Sequence, residues 1–389
     1  MKIYKSYTLK NILNIFIFLL SLFILLIFSK DNFSSVKDSV SIFISSIIPS
    51  LFPFIFFTEF ILTTDILNSI QNSTGKLFAK IFGISKKASP AIITGFLCGF
   101  PMGAKTVANI YLKGDISKKE AIKLLWFINN CNPAFILSTI GIGILYNIKL
   151  GILLAISHYL ASIIIGIFFF RKSSLDIIHE KDLKLNTLNK NNYIKDKNIF
   201  EIIKKCIKNT FFTLSMILGF MILFNLLFST ISKFLHLLNV SENIISVVSG
   251  MFEVTCGISN VYNSSLSFDI KLLSISFLLG FSGLCIICQI YSTISEYNFS
   301  FKKLLISKLL HGILSMLITY IFIKYTNIFY SETINVYSSN DQNIREYYVS
   351  NMKLSYLFST VLIISFLFIY YLIRKKVAHK NIGYKKEGG

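Results

Sequence analysis

Seven stretches of the chain, residues 11–28, 39–63, 150–170, 211–230, 271–295, 305–325 and 355–373, are long and apolar enough to cross a bilayer as helices. A crossing helix needs about 20 predominantly apolar residues. Three further stretches, 88–111, 133–148 and 244–262, are apolar but interrupted by Gly, Pro, Asn or a charge, which brings the expectation to nine or ten membrane segments. Of the 389 residues, 53% are hydrophobic and only 15% charged, against about 25% charged in soluble domains. A soluble fold of this size has too little interior to hide so much apolar surface. The sequence therefore predicts an all-α, polytopic transmembrane helix bundle of the bacterial inner-membrane type, with interrupted or re-entrant helices.

The net charge of +20 is informative through its placement. Lys2, Lys5 and Lys10 precede the first apolar run. A central stretch from Arg171 through Lys184, Lys195 and Lys208 is strongly basic, as is the tail after Arg374. Lys and Arg in short loops near spans mark the cytoplasmic side, so both termini and the central stretch are read as cytoplasmic. The polar stretch 325–353, with Glu332, Asp341 and Glu346, suits the opposite side. Nucleic-acid binding would need a basic face on a folded soluble domain instead. The first apolar run has a basic leader but no small-residue cleavage site after it, and reads as an uncleaved helix. The implied organisation is a signal-anchor helix (1–38), a first membrane half (39–170), a basic linker (171–208), a second half (209–325), an extracytoplasmic loop (326–354), and a last span with its basic tail (355–389). Residues 117–130 read as an amphipathic helix capped by Ser117 with Glu120 three residues on. A second amphipathic segment covers 65–85.

Function is to be sought where the apolar runs break, because irregular backbone at membrane depth persists only against protein or a water-filled cavity. The densest break is GFLCGFPMGAK at 95–105. Pro101 cannot donate an N–H, and Gly99 and Gly103 allow backbone conformations closed to other residues. A helix entering at Pro90 should end near 99–101 and restart around Gly103, with its positive N-terminal end inside the membrane. Lys105 would sit in that first turn. A lysine at such depth needs an anion, a carboxylate or water; the plainer reading is a Pro-kinked helix whose Lys105 snorkels to the interface. A second break, NNCNP at 129–133, offers Asn129, Asn130 and Asn132 as donors and acceptors, although Asn-Pro is also an ordinary turn.

The second half echoes the first. Gly280, Ser282 and Gly283, with Gln289 beyond them, stand against Gly95 to Gly99, and paired Gly-interrupted segments point to a transporter site at a repeat interface. Between the halves lies Glu253, followed by Thr255. It could pair with Lys105, relay protons, or simply face water at a helix end. The cysteines Cys98, Cys131, Cys206, Cys256, Cys285 and Cys288 show no disulfide framework, and Cys285 and Cys288 lack a second pair or a nearby His for a metal. His158 and His311 read as structural. No cofactor, metal or catalytic group is expected, and the protein is not expected to be an enzyme.

PSLFPFIFFTEF at 49–60, GFPMGAK at 99–105, NNCNP at 129–133, FEVTCG at 252–257 and GFSGLCIICQ at 280–289 occur in an order that resembles the YlbJ (SpoVV) family of sporulation integral membrane proteins. The resemblance runs over about 40–373. It extends to the wider Gate, or nucleoside-recognition, superfamily. Met102 departs from the family, which has a small Ser or Thr there. The resemblance implies a mother-cell protein of the outer forespore membrane that moves dipicolinic acid, needed for spore heat resistance. Its partners would be a small anionic substrate, the lipid bilayer and, as open possibilities, a second copy or other forespore membrane proteins. A dianion in a low-dielectric site needs compensating charge, for which Lys105, at the centre, and one or two half-helix N-termini are the expected sources, with Asn129, Asn130, Asn132 or Gln289 to orient it. A carrier of a nucleoside or other small solute, and a non-transporting assembly protein, are the alternatives.

Overall fold

The computed structural model describes residues 27–171 and 199–325, together with Asn11 and Asn14. The first span, most of the basic linker, the extracytoplasmic loop and the last span with its tail lie outside the described residues. Among the described residues every regular element is helical. Helices α1 (Ser29–Ile42) and α2 (Ile48–Thr63) are joined by a π turn, Phe43–Ile47. Then come α3 (Ile66–Phe82), α4 (Ser89–Leu97), α5 (Met102–Leu112), α6 (Lys118–Leu125) and a π-helical segment, Phe135–Ile144. The rest are α7 (Ile148–Arg171), α8 (Ile199–Leu237), α9 (Glu242–Phe252), α10 (Val254–Asn263), α11 (Phe268–Phe281), α12 (Gly283–Ile294) and α13 (Phe301–Tyr325).

Five stretches are long and apolar enough to cross a membrane: Ser29–Thr63, Ile148–Phe168, Ile199–Leu237, Phe268–Tyr297 and Phe301–Tyr325. The helix running from Ser29 to Thr63 passes through the expected boundary at residue 38, and α8 starts inside the stretch expected as linker. Hydropathy marks the part of a helix that lies in lipid; the hydrogen-bonded ladder continues into polar sequence as long as nothing breaks it. Pro49 and Pro53 remove two backbone donors from the first of these helices, and the backbone just before them widens into the π turn.

The continuous helix α1–α2 and α8 form an antiparallel frame. Asn225 donates to Ser39 Oγ at 2.7 Å and Asn209 to Glu59 Oε2 at 2.8 Å, so the chain numbers rise in opposite directions along the contact. Between these frame helices and the rest stand two helical hairpins, α4–α5 and α9–α10. Their arms are 9, 11, 11 and 10 residues long. At ~1.5 Å per residue each arm reaches about half of a ~30 Å hydrocarbon core. The hairpins are re-entrant: they turn back at mid-depth.

Glycines let the arms cross closely. A Cβ on Gly103 would lie 2.9 Å from Gly95 Cα, and one on Gly257 would lie 1.9 Å from Gly250 Cα. The open end of the first hairpin is closed by Lys87 and Asp115 at 2.7 Å, and that of the second by Ser265, whose N–H and hydroxyl both donate to Asn243. α2 ends at Thr63 and leads through α3, which is too polar to cross, into the first hairpin; α8 ends at Leu237 and leads directly into the second. Because α2 and α8 run antiparallel, the hairpins insert from opposite membrane faces.

This alters the repeat. The order hairpin, broken helix, long helix occurs twice: α4–α5, then α6 through residues 129–133 to the π-helical segment, then α7; and α9–α10, then α11 and α12, then α13. The fold-level counterpart of the break at 99–101 is therefore Glu253, and that of 129–133 is 281–283. The short echo between 95–99 and 280–283 matched Gly-Phe spacing, whereas the topology follows the glycine crossings. α11 packs on α13 through Ser276, which meets Ser315 Oγ at 2.9 Å and Thr319 Oγ1 at 2.7 Å, and through Gly280 against Gly312. Small residues at such contacts bring helices together in lipid. The amphipathic helices appear as expected. Ser117 Oγ accepts from Glu120 N–H at 3.2 Å, while the Glu120 carboxylate accepts from Ser85 N–H at 2.7 Å and ties α6 to the base of the first hairpin.

Gly257→Ala should spread the second hairpin and destabilise the protein by about 1–3 kcal/mol or more. Gly219→Ala, with nothing within 4 Å of the added Cβ, should be neutral or slightly stabilising. Thermal unfolding of the two variants in detergent compares them directly.

Candidate functional site: two hairpin tips on two helix breaks

Each hairpin tip packs on the break of the helix that follows it. At the first, Phe100 N–H donates to Asn130 O at 2.9 Å, and the Asn132 amide donates to Leu97 O at 3.2 Å. Asn132 Oδ1 accepts from Ala134 N–H at 2.7 Å, which caps the restarted helix. Gly99 has φ 75°, and a Cβ there would lie 2.8 Å from Asn132 N, so the tip requires glycine for both conformation and space. At the second tip Glu253 caps α10: Oε1 accepts from Thr255 N–H at 3.1 Å and Oε2 from Cys256 N–H at 2.8 Å. The break between α11 and α12 places Ser282 at φ 71° and Gly283 at φ 72°, and a Cβ on Gly283 would lie 3.1 Å from Gly250 O in the second hairpin.

The two tip-on-break pairs border a cavity together with the frame helices, which contribute Ile47, Leu51, Ile217 and Met221. Its polar lining is Asn132 from the first half with Glu253, Thr255 and Gln289 from the second; Phe100, Phe135 and Ile286 are among its apolar walls. Its volume is about 30 Å³, far below the ~300–1,000 Å³ of ligand pockets, so in this conformation it has room for little more than a water molecule. Gln289 is 3% exposed and donates to Cys285 Sγ at 3.1 Å.

Four of the residues expected from the sequence thus converge: Asn132, Glu253, Thr255 and Gln289. Gly99, Pro101, Ser282 and Gly283 shape the tip and the break beside them, and Gly103 serves the hairpin crossing. Gly280 packs against Gly312 and does not line the cavity. Asn129 and Asn130 turn their amides back onto Leu125 O and Phe127 O of the preceding helix. Lys105 is absent from the cavity lining. Its Nζ donates to Glu59 Oε1 at 2.5 Å on α2, and Asn209 of α8 holds the other carboxylate oxygen at 2.8 Å. Of the alternatives open for Glu253, the pair with Lys105 therefore does not form. Lys105 lies in the first turn of α5 but on the face turned to the frame, and Glu253 is taken up by its own helix end.

Sequence reasoning missed Glu59, Asn209 and Lys308. Glu59 stands in the apolar motif 49–60 and Lys308 inside the span 305–325, and the rule that singled out Lys105, a charge within a span, applies to both. Asn209 carries no such signal, because amides are common near helix ends.

Among curated proteins, the chain is 30% identical over 259 residues to the sporulation integral membrane protein YlbJ of Bacillus subtilis (strain 168). The match covers 60% of this chain and 63% of the relative, under two thirds of the relative's length. The resemblance to YlbJ read from the motifs thus has an independent match behind it, whereas the wider Gate grouping is not shown. No family model matches the chain. No solved structure matches it.

Removing Lys105 leaves Glu59, 2% exposed, without its cation. Breaking a fully buried pair costs about 3–5 kcal/mol; with Lys105 a third exposed, Lys105→Met should cost less, about 2 kcal/mol. Adding Glu59→Gln should recover most of it. Unfolding of the single and double variants in detergent measures the difference, and equal losses in both would contradict the pairing.

Proposed function

We propose that the chain is a transporter of a small polar solute in endospore formation, with dipicolinate as its cargo. The observation that carries this reading is the meeting of two half-depth hairpins, inserted from opposite faces, with two helix breaks around one cavity. A central site bounded by two inverted halves can be exposed to each side in turn by rocking one half against the other. The sporulation role rests on similarity to the Bacillus relative, whose name describes a sporulation integral membrane protein. The cargo, the outer forespore membrane and the cytoplasmic termini rest on the family resemblance and on the distribution of basic residues. No enzymatic step belongs to the proposal.

The chemistry differs from a lysine-centred anion site. A dicarboxylate in this cavity would be met by backbone N–H groups at the start of α12 and by the amides of Asn132 and Gln289, since broken helices present positive ends to anions. Both Glu253 carboxylate oxygens are already taken up by backbone N–H groups of α10, which turns them away from an incoming anion. With about 30 Å³ open to water centres, the cavity admits a planar pyridine dicarboxylate only after a hairpin tip withdraws.

A second reading, a carrier of a neutral solute such as a nucleoside, draws on the polar lining of two amides, a hydroxyl and an acid with no basic side chain. Uptake by the full-length protein in proteoliposomes separates the two. Dipicolinate uptake should fall about tenfold in Gln289→Leu, equivalent to ~1.4 kcal/mol, and Thr255→Val should lower it as well. Lys105→Gln should retain most uptake at equal membrane level. Nucleoside uptake that excess dipicolinate does not compete would establish the second reading. No uptake of either, with spore defects only where the protein is lost from the membrane, would favour an assembly role.

A further inference from the structure

Lys308 lies about two turns into α13 and is 1% exposed. Among the described residues no carboxylate lies within ion-pair distance of it. Its Nζ donates to Asn129 O at 2.7 Å and faces His311 Nδ1 at 3.5 Å. His311 Nε2 lies 2.9 Å from His158 O. A carbonyl only accepts, so Nε2 carries the hydrogen and Nδ1 turns its lone pair to Lys308. His158 Nε2 accepts from Cys131 N–H at 3.0 Å, which leaves the neutral ring's hydrogen on Nδ1. That atom is buried and meets no hydrogen-bond partner among the described residues. The two rings stand 4.4 Å apart, centre to centre.

This cluster grips the backbone of the first helix break. Lys308 holds Asn129 O, His158 holds Cys131 N–H, and the Tyr159 hydroxyl donates to Cys131 O at 2.6 Å. Between the first two bonds sits Asn130, whose carbonyl receives the hairpin tip through Phe100 N–H. The titratable groups facing Lys308 are His311 on its own helix, His158 and Tyr159 from α7, and Cys131 from the break. Of the other helices on α13, α11 meets it through Ser276 and Gly280, and α12 through Tyr291 against Phe301 in the first turn. α6 faces it through Leu125 and Trp126.

Three basic groups in contact, without an acid, accept one positive charge far more readily than two, because like charges in a low dielectric repel strongly. Where the charge sits decides the backbone contact. A proton on Lys308 leaves His158 neutral and accepting from Cys131 N–H. A proton on His158 Nε2 makes that nitrogen a donor, and Cys131 N–H loses its acceptor. We propose that Lys308, His311 and His158 form a proton-binding site that latches the break at 129–133, so that protonation of His158 releases the seat of the first hairpin tip. The site stands whether or not the cavity carries a solute; in a transporter it would make the proton the coupling ion.

Trp126, the one tryptophan in the sequence, ends α6 and lines a crevice with Lys303 and Ser307 of α13. Its emission therefore reports on the break in the otherwise unlabelled full-length protein. In lipid nanodiscs, titrated from about pH 8 to about pH 4, through and below the range where histidine changes charge, wild-type emission should show a transition at the acid end, because a charge on Lys308 opposes a second one on His158. His158→Gln keeps an acceptor but cannot titrate, and should abolish the transition. Lys308→Met removes the competing charge and should move the midpoint up by about one pH unit or more. A flat wild-type profile overturns the proposal. So does a transition that survives in His158→Gln, which would belong to Glu120 or another group, and so does an unmoved midpoint in Lys308→Met. Should Lys308→Met fail to insert, the wild-type and His158→Gln profiles still decide whether the site exists.

Discussion

Broken backbone at mid-membrane has no water to satisfy it, and an unpaired N–H or C=O there costs several kcal/mol. Each break in this protein is met by another piece of the same chain. The 129–133 break receives the first hairpin tip through Phe100 N–H and spends the Asn132 side chain on both sides of the contact, donating to Leu97 O and capping Ala134. The second tip is closed by the Glu253 carboxylate on two backbone N–H groups, and the 281–283 break packs under it through Gly283. These seats are polar and specific, so each tip is held at one place on its break.

Charge is arranged around these seats and kept out of the cavity, Glu253 excepted. Glu59, Lys105 and Asn209 tie the start of α5 to the antiparallel frame of α2 and α8, so the first hairpin has a fixed anchor one turn below its tip. Lys308 of α13 and His158 of α7 hold the backbone of the same break. The break at 129–133 is thus clamped between a hairpin secured by an ion pair and the Lys308–His158 contacts to its backbone. The cavity beside it has mostly apolar walls, and its few polar groups are two amides, a hydroxyl and the Glu253 carboxylate.

Much of this was legible residue by residue. Helix α4 ends at Leu97 and α5 restarts at Met102, within one residue of the restart expected at Gly103. Ser117 caps α6 as its spacing indicated, and the breaks at 129–133, Glu253 and 282–283 all exist. Gly, Pro and capping side chains act on their immediate neighbours, so a linear reading finds them. The repeat was paired wrongly because sequence likeness over a few residues does not report which glycines touch.

Hydropathy and the local breakers determined by themselves that the chain is an α-helical membrane bundle and where its helices stop, since each of these depends on no more than a turn or two of chain. Only the tertiary structure decided which charge meets which. Lys105 and Glu59 are 46 positions apart, Asn209 and Glu59 are 150, and Lys308 and Asn129 are 179. A lysine in lipid must find a partner, but the rotation of its helix selects that partner, and that rotation is set by packing the whole bundle. Lys105, taken from the sequence as the centre of the site, is for that reason a brace of the frame, and the cavity belongs to Asn132, Glu253, Thr255 and Gln289.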